Sequence, residues 1–206
     1  MKTLILASGS PRRHELLQLL GIPHKVLPCK KQEKNILADS ITEKIAEPVI
    51  FKKIIRVAES KVRCVAKQLS LENPPDFILG ADTIVMFNGR ILGKPATEQE
   101  ALQMLKKITG EKHIVYTGLC LQASNPKKLF TAVEKTTIHM RSCSEEKLKK
   151  YIQNEYVLDK AGGYAIQGKG AFLISSIEGC FYNVMGLPLS RLVRMLEEAN
   201  YPFLSS

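Results

Sequence analysis

Short apolar runs alternate with amphipathic helical patterns along this chain, beginning at the N-terminus. Residues 3–6 form an apolar run that predicts a strand, and leucines at helical spacing predict a helix over 11–20. Ser10 and Pro11 are typical of an N-cap and of the first helical position, and Gly21 is typical of a helix end. The pattern therefore predicts a strand, a small-residue turn and a helix in immediate succession.

The rest of the chain continues this alternation. Apolar residues at steps of three and four predict a long helix over 49–69, and Asn88–Gly89 predicts a hairpin between two strands. Thr97 with Glu100 has the capping-box spacing that opens a helix. Further elements are predicted as strands at 24–28, 113–123 and 129–140, helices at 144–154 and 188–199, and a glycine-rich loop leading into a strand over 161–179. Hairpins mixed with crossovers predict an α/β fold with a mixed sheet and helices packed around it.

The net charge of the chain indicates which kinds of partner it is expected to bind. Its 206 residues carry 30 Lys and Arg against 20 Asp and Glu, a formal net charge of +10. Such an excess predicts nucleic acid, an anionic surface or a polyphosphate ligand as partner. Only 6% of residues are aromatic and the basic pairs are scattered, whereas single-strand binding combines a basic groove with stacked aromatic rings. The composition therefore favours a polyphosphate ligand, and we expect no nucleic acid partner.

Two further features bear on the cellular compartment. No apolar run approaches the roughly 20 residues that cross a bilayer, and Pro11 with two arginines cuts the N-terminal run short, unlike a signal peptide. We therefore expect a cytoplasmic protein with no membrane partner. The five cysteines are scattered, without a C-x-x-C pair or metal-ligand spacing to a histidine, so they predict free thiols rather than a zinc site or a disulfide framework.

Arg12 and Arg13 stand in the first turn of the first predicted helix. The N-terminal end of a helix carries roughly half a positive charge, so each cation there is disfavoured by about 0.3–1 kcal/mol. The same end, preceded by a strand and a small-residue turn, binds anions well, and the guanidinium fork matches phosphate oxygens. Ser8 adds a hydroxyl to this turn. The stretch is therefore either a polyphosphate site or a pair of arginines that face solvent or distant acids.

One acid and two lysines elsewhere in the chain have both a functional and a purely structural interpretation. Asp82 follows the apolar run Phe77–Leu79, and ligand sites of α/β proteins gather at such strand ends. Lys94 returns on the second strand of the hairpin, so the pair suits a metal and a phosphate, or else forms an ordinary salt bridge. Lys61 falls close to the apolar stripe of the long helix, where it either extends to water or points into a site.

A third stretch, DKAGGYAIQG, is rich in glycine and carries Gln167. The amide of Gln167 offers both a donor and an acceptor, which suits reading the edge of a nucleobase. Glycine-rich loops are common, and this one predicts little by itself.

Five stretches occur in order between Leu4 and Leu192, and together they resemble the Maf family of septum-formation-associated nucleotide pyrophosphatases: LASGSPRRHELL, GADTIVMFNGRILGKP, ITGEKHIVYTG, DKAGGYAIQGKGA and YNVMGLPLSRL. The resemblance implies one Maf-like domain over residues 1–206, an elongated two-lobed α/β fold like that of inosine triphosphate pyrophosphatases, and a central cleft. It also implies that a nucleoside triphosphate is cleaved between its α and β phosphates to the monophosphate and pyrophosphate. A divalent metal, Mg²⁺ or alternatively Mn²⁺, and a homodimer are implied as well.

The motifs of the family fall on particular residues of this chain. The resemblance implies that Asp82 is catalytic, either as the base or as a metal ligand, with Glu33 as the second acidic ligand of the metal. The surroundings of Glu33 depart from the family, which often has several acids where this chain reads PCKKQEK. The residues implied to hold the phosphates are Ser8, Arg12, Arg13, Lys61 and Lys94.

Three positions resemble the family subgroup that hydrolyses dTTP and UTP: Arg12, Thr83 and Gln167. The subgroup acting on 7-methyl-GTP, the alternative substrate, typically has a tryptophan, a glutamine and a glutamate there. Ala165 departs from the more usual glycine but leaves Gln167 in register. The resemblance thus implies a dTTP/UTP pyrophosphatase that removes non-standard nucleotides and is linked to cell division arrest. A non-catalytic nucleotide-binding regulator of septum formation and a basic nucleic-acid-binding module are the alternatives.

Overall fold

The computed structural model describes residues 2–29, 44–69, 74–125 and 127–204. The strands are β1 (Leu4–Leu6), β2 (His24–Val26), β3 (Phe77–Phe87), β4 (Arg90–Leu92), β5 (Lys112–Ser124), β6 (Lys127–Met140) and β7 (Ile174–Glu178). The α-helices are α1 (Pro11–Leu19), α2 (Glu47–Gln68), α3 (Glu98–Ile108), α4 (Glu145–Asn154), α5 (Phe181–Met185) and α6 (Leu189–Glu198). Two 3₁₀ turns cover Ala161–Gly163 and Gly168–Leu173. Within these ranges, no helix has the length and apolar character needed to cross a membrane.

The seven strands form one mixed sheet in the order β2-β1-β3-β5-β6-β7, with β4 paired to β3. β1 runs parallel to both of its neighbours, and the other pairings are antiparallel. This arrangement confirms the predicted mixed α/β fold. The division into two lobes around a cleft stays a prediction.

The edge of β3 that faces β1 and β4 has a gap in its pairing. β1 pairs with residues 77–79 of β3, and β4 pairs with residues 85–87. Residues 80–84 lie between them and pair with β5 on their other side. In the described part of the chain, this stretch of β3 therefore has an unpaired edge, and its residues Asp82 and Thr83 are partly exposed there.

The backbone of helix α2 packs directly against the sheet, because glycines face it from two neighbouring strands. A Cβ atom at Gly80 would collide with the backbone carbonyl of Ala58 and lie 2.8 Å from Val62 Cγ2. A Cβ atom at Gly118 would lie 2.9 Å from the backbone of Ile54. The apolar face of α2 is fully buried against this surface, so the absence of two side chains sets the distance between helix and sheet.

Several local predictions are confirmed by the structure. Asn88 and Gly89 have positive φ values of 51° and 78° and form the hairpin turn between β3 and β4. Thr97 caps α3 by accepting a hydrogen bond from the Glu100 amide at 3.1 Å. Ser10 occupies the N-cap of α1 as predicted, but its side chain makes no capping hydrogen bond.

The structure differs from the sequence-based predictions at Asp82 and in three short helical segments. Asp82 is predicted at a strand end, after the apolar run Phe77–Leu79, but it lies inside β3, which runs on to Phe87 as the hairpin prediction requires and pairs with β5 from Phe77 to Met86. The short helix α5 and the two 3₁₀ turns were not predicted from the sequence. These segments are too short for hydrophobic periodicity to register.

The cysteine prediction is also corrected. Cys29 and Cys64 form a disulfide with their Cα atoms 5.7 Å apart, within the range that a disulfide requires. Cys29 follows β2 and Cys64 lies in α2, and the packing of that helix brings together residues 35 apart in sequence. Spacing alone did not reveal the pair. The remaining three cysteines are free thiols, as predicted: Cys120, Cys143 and Cys180.

A first prediction concerns the close packing of α2 against the sheet. Gly80→Ala is expected to lower the free energy of unfolding by about 1–3 kcal/mol, since the new methyl group meets helix backbone that has no room to move. Urea-induced unfolding measures the change. Gly9→Ala is the control, because its Cβ would meet only Pro28 Cβ at an ordinary 3.7 Å. Equal stability of the two variants would contradict the close packing described here.

A second prediction concerns pH. His113 is 1% exposed, and burial lowers its pKa to about 4. In the unfolded chain its pKa is about 6.5, so between these values the unfolded state binds more protons than the folded state. This contribution to stability is complete above pH 6.5 and falls as the pH drops toward 4, by about 2 kcal/mol at pH 5.

His113→Phe should therefore remove that part of the pH dependence, which urea unfolding at pH 7.5 and pH 5 will measure. His139→Gln, at a partly exposed position on β6, is the matched control and should keep it. If the phenylalanine variant loses as much stability as the wild type between the two pH values, burial of His113 is not the cause.

Candidate active site

A cleft of about 490 Å³ opens at the gap in the edge of β3. Its volume lies within the range of small-molecule sites. Its walls come from many parts of the chain: the turn between β1 and α1, helices α1 and α2, strands β3 and β5, Lys94 shortly after β4, the loop preceding β7, and the end of α5. The cleft brings together eight of the nine residues proposed from the sequence: Ser8, Arg12, Arg13, Lys61, Asp82, Thr83, Lys94 and Gln167. The ninth, Glu33, lies outside the described residues.

The gap explains why neighbouring residues of β3 serve the same site. Successive side chains of a strand point to opposite faces, and Asp82 lies on the α2 face while Thr83 lies on the other. Ala7 makes the last hydrogen bond from the first strand, at 2.8 Å to the Leu79 carbonyl, and the chain then turns away at Ser8. Because no strand in the described ranges pairs with this edge of β3 between Leu79 and Val85, the cleft reaches Asp82 and Thr83 around one edge.

An ion pair lies on the α2 side of the cleft. Lys61 Nζ lies 2.8 Å from Asp82 Oδ1 and donates to the Ala81 carbonyl at 3.1 Å. The two charged side chains are 12% and 18% exposed. Of the two interpretations of Lys61, the structure therefore places its ammonium in the cleft and not in bulk solvent. Since Lys61 occupies Oδ1, it orients the carboxylate plane of Asp82.

Arg13 lies on the opposite face and is only 7% exposed. Its Nε donates to the Gly186 carbonyl at 2.8 Å, Nη1 donates to Ser8 Oγ at 3.0 Å, and Nη2 donates to Thr83 Oγ1 at 3.0 Å. The Thr83 hydroxyl also lies 2.9 Å from that of Thr117. One guanidinium thus joins the turn after β1, strand β3 and the end of α5.

Arg12 extends toward the rim, where its Nη2 lies 3.5 Å from Asp159 Oδ2. Lys160 Nζ lies 2.7 Å from the other carboxylate oxygen. Burial raises the pKa of Asp159, but the hydrogen bond and charge of Lys160 and the charge of Arg12 outweigh it and leave that pKa below its ordinary value. Asp159 is therefore an anionic partner for two cations at the mouth of the cleft.

The loop that carries Gln167 is held in place from three directions. The Gly162 amide donates to the Gly93 carbonyl at 3.0 Å, beside Lys94. Tyr164 is buried with its hydroxyl 2.6 Å from His113 Nε2, and the Ala165 amide donates to the Tyr151 hydroxyl at 3.2 Å. Gly162 and the glycine after it have φ values of 76° and 75°, which only glycine adopts freely. These contacts place the exposed side chain of Gln167 on the cleft wall.

The charge in the cleft suits a polyanion. Five cationic side chains face two acidic ones in its lining: Arg12, Arg13, Lys61, Lys94 and Lys160 against Asp82 and Asp159. The described residues contain no cluster of three or more His, Cys, Asp or Glu that would hold a metal ion by itself. Mg²⁺ is commonly held by one or two carboxylates together with substrate phosphates, and Asp82 fits that mode.

Sequence reasoning missed Asp159, Lys160 and Gly186. The first two stand at the start of the DKAGGYAIQG stretch, so an acid next to a proposed base-reading loop was the available signal. Gly186 contributes through its carbonyl oxygen, and a backbone acceptor leaves no mark in a sequence.

The fold and cleft define an α/β protein with a cationic cleft that suits a polyanion, beside the carboxylate of Asp82. Comparison with known families is more specific, since the model of the family described as Maf-like protein matches residues 3–199. The chain therefore belongs to the Maf-like protein family.

Relatives with established names agree over nearly the full length. A dTTP/UTP pyrophosphatase of Caldicellulosiruptor bescii is 41% identical over 201 residues, covering 98% of this chain and 96% of the relative. A dTTP/UTP pyrophosphatase of Bacillus cereus is 42% identical over 200 residues, covering 97% and 91%. Among solved structures, a HAM1 protein from Coxiella burnetii overlaps 68% of this chain and 73% of its own, with 17% identity and a TM-score of 0.44. That overlap is too distant to support an argument about function.

A third prediction follows from the acid at the rim. Asp159→Asn is expected to tighten the binding of inorganic tripolyphosphate by about twofold to tenfold. The partly exposed ion pair with Arg12 contributes little by itself, whereas the carboxylate repels an incoming polyanion. Isothermal titration calorimetry measures the dissociation constant. Glu146→Gln, an exposed position on α4, is the control and should bind as the wild type does. Weaker binding to the Asp159 variant would contradict the repulsive role.

Proposed function

We propose that this protein hydrolyses dTTP and UTP to the nucleoside monophosphate and pyrophosphate. The observation that carries the proposal is that one cleft contains both the Lys61–Asp82 pair and the three residues that resemble the dTTP/UTP subgroup. Those three, Arg12, Thr83 and Gln167, come from α1, β3 and the loop before β7. The names of the full-length relatives support the same substrates.

The triphosphate is expected to lie along the cationic side of the cleft. The Ser8 hydroxyl stands beside the helix N-terminus of α1, where backbone amides and the helix dipole favour negative charge. Arg12 and Lys94 both line the cleft, and their side chains are partly exposed and exposed, respectively. Cations placed on the β and γ phosphates stabilise the charge that develops on the pyrophosphate leaving group.

Asp82 is proposed to orient the water that attacks the α-phosphorus in line with the departing pyrophosphate. Lys61 holds Oδ1 of this carboxylate, which fixes the direction in which the second oxygen accepts a hydrogen bond from water. Burial of the pair limits the number of orientations that the carboxylate samples. The nucleobase end is then read by hydrogen-bonding groups of Thr83 and Gln167, since their hydroxyl and amide match the polar edge of a pyrimidine.

A divalent cation, Mg²⁺ or alternatively Mn²⁺, belongs to this proposal. Asp82 would hold it together with phosphate oxygens, and Glu33 remains the proposed second carboxylate. When bound, such an ion lowers the pKa of a water ligand and offsets phosphate charge. A cytoplasmic location, a homodimeric state and a role in septum formation stay predictions.

Turnover tests the proposal directly. Purified protein with Mg²⁺ should release pyrophosphate from dTTP and UTP faster than from CTP or 7-methyl-GTP, measured by a coupled pyrophosphate assay. Faster release from 7-methyl-GTP would instead assign the protein to the subgroup that acts on 7-methyl-GTP. Tight binding of dTTP without release of pyrophosphate would contradict the enzyme proposal and favour a non-catalytic regulator.

A fourth prediction concerns the carboxylate. Asp82→Asn should lower kcat for dTTP by about 10²–10⁴-fold, the contribution typical of a positioned acid–base group. Asp76→Asn is the matched control, because Asp76 precedes the same strand and bonds Thr3 outside the cleft. The control should keep its kcat. Turnover of the Asp82 variant within a few-fold of the wild type would remove Asp82 from the chemistry.

A further inference from the structure

Gln167 stands at the end of a short extended segment in the loop before β7. Tyr164 and Ile166 are buried, whereas Ala165 is half-buried and Gln167 is exposed. This alternation is that of an extended chain, in which every second side chain points to the same side. Ala165 and Gln167 therefore share the outward side of the segment, and both line the cleft.

The hydroxyl of Tyr151, on α4, lies behind this segment. The Ala165 amide donates to the Tyr151 hydroxyl oxygen at 3.2 Å. A Cβ atom at Gly170 would lie 2.9 Å from the same hydroxyl oxygen and would collide with the Ala165 carbonyl oxygen. The two ends of the turn from Ala165 to Gly170 therefore meet at one hydroxyl group, and Gln167 lies between these ends.

Tyr151 does not line the cleft itself. It is 4% exposed, and its ring packs edge-on against Phe172 with the ring centroids 5.8 Å apart. A molecule in the cleft therefore meets the influence of Tyr151 through the turn and not by direct contact.

Of the three contacts that hold this loop, the one to Tyr151 is nearest to Gln167. The bonds of Gly162 to Gly93 and of Tyr164 to His113 lie farther back along the chain. Gly168, which follows Gln167, has a φ of 61°, and glycine restrains the backbone less than any other residue. A backbone amide away from water needs a partner, so without the Tyr151 hydroxyl the turn would shift until the Ala165 amide met water.

We propose that Tyr151 is a positioning residue for nucleobase recognition: it holds the turn so that the Gln167 amide faces the base, without touching the substrate. The proposal rests on the proposed function, in which Gln167 reads the base. Hydrogen bonds weaken steeply when they are bent, so an amide that reads a base must be held at a fixed angle. The effect of Tyr151 is therefore expected on the nucleoside part of the substrate and not on its phosphates.

Two ligands separate the nucleoside from the phosphates. α,β-Methylene-UTP resists cleavage between its first two phosphates, and inorganic tripolyphosphate has three linked phosphates without a nucleoside. Tyr151→Phe keeps the ring and removes only the hydroxyl. It should weaken the binding of α,β-methylene-UTP by about threefold to tenfold, the contribution of one hydrogen bond, and leave tripolyphosphate binding unchanged. Isothermal titration calorimetry measures both dissociation constants.

Tyr201→Phe is the matched control. Tyr201 is also buried, at 8% exposed, and packs edge-on against Phe77 outside the lining of the cleft. This variant should bind both ligands as the wild type does. If Tyr151→Phe weakens both ligands equally, or neither, the proposal is overturned.

A double-mutant cycle with Gln167→Ala tests whether Tyr151 acts through Gln167. Tyr151→Phe should have little further effect on α,β-methylene-UTP binding in a protein that already lacks the Gln167 amide. A merely structural role would weaken binding by the same factor in both backgrounds. Losses that multiply would therefore contradict the proposal, and so would a Gln167→Ala variant that binds α,β-methylene-UTP as tightly as the wild type.

Hydrogen exchange of the Ala165 amide, followed by NMR, reports on the turn without any ligand. Exchange should be faster in Tyr151→Phe than in the wild type and unchanged in Tyr201→Phe. Equal exchange in all three proteins would show that the Tyr151 hydroxyl does not hold the turn.

Failure of this proposal and failure of the proposed function give different results. A protein that releases no pyrophosphate from UTP, but shows the expected binding pattern, contradicts the proposed function alone. Release of pyrophosphate together with losses that multiply in the cycle contradicts only the role of Tyr151.

Discussion

The close packing of α2 against the sheet is the constraint on which the rest of the site depends. Gly80 and Gly118 leave no side chain between the helix and two strands, and the helix backbone fills the space. This places Lys61 2.8 Å from Asp82. Burying either charge alone is costly, so the pair exists only because helix and strand meet at this distance. Orientation of the carboxylate is thus a consequence of packing along the sheet-facing side of the same helix.

The gap in the edge of β3 turns this pair into a site. Because β1 stops early and β4 begins late, the cleft reaches both faces of the sheet around one open edge. The Lys61–Asp82 pair occupies one face, and Arg13 with Thr83 occupies the other. A continuous sheet would have separated these groups by a layer of backbone. The geometry therefore allows the chemistry and the recognition of the base to come from opposite sides of one strand.

Local features of the fold were predictable because their causes are local. The hairpin at Asn88–Gly89 follows from the two positive φ values of its turn, and the Thr97 cap follows from a donor and an acceptor three residues apart. The family motifs also named eight residues that line one cleft. The position of Asp82 at a strand end was wrong, because the middle of β3 is held by pairing with β5, far along the chain. The disulfide of Cys29 was missed for the same reason, since helix packing creates it.

The sequence by itself determined the alternation of strands and helices and the basic excess, because both rest on composition or on neighbours within a few positions. Its resemblance to a family indicated which side chains are expected to act on a triphosphate. Only the tertiary structure decided how the adjacent Arg12 and Arg13 differ. The turn of α1 directs Arg12 toward Asp159 at the rim and directs Arg13 inward, where acceptors from three distant segments enclose it. Identical side chains thus acquire different environments, because hydrogen-bond partners are set by packing and not by residue type.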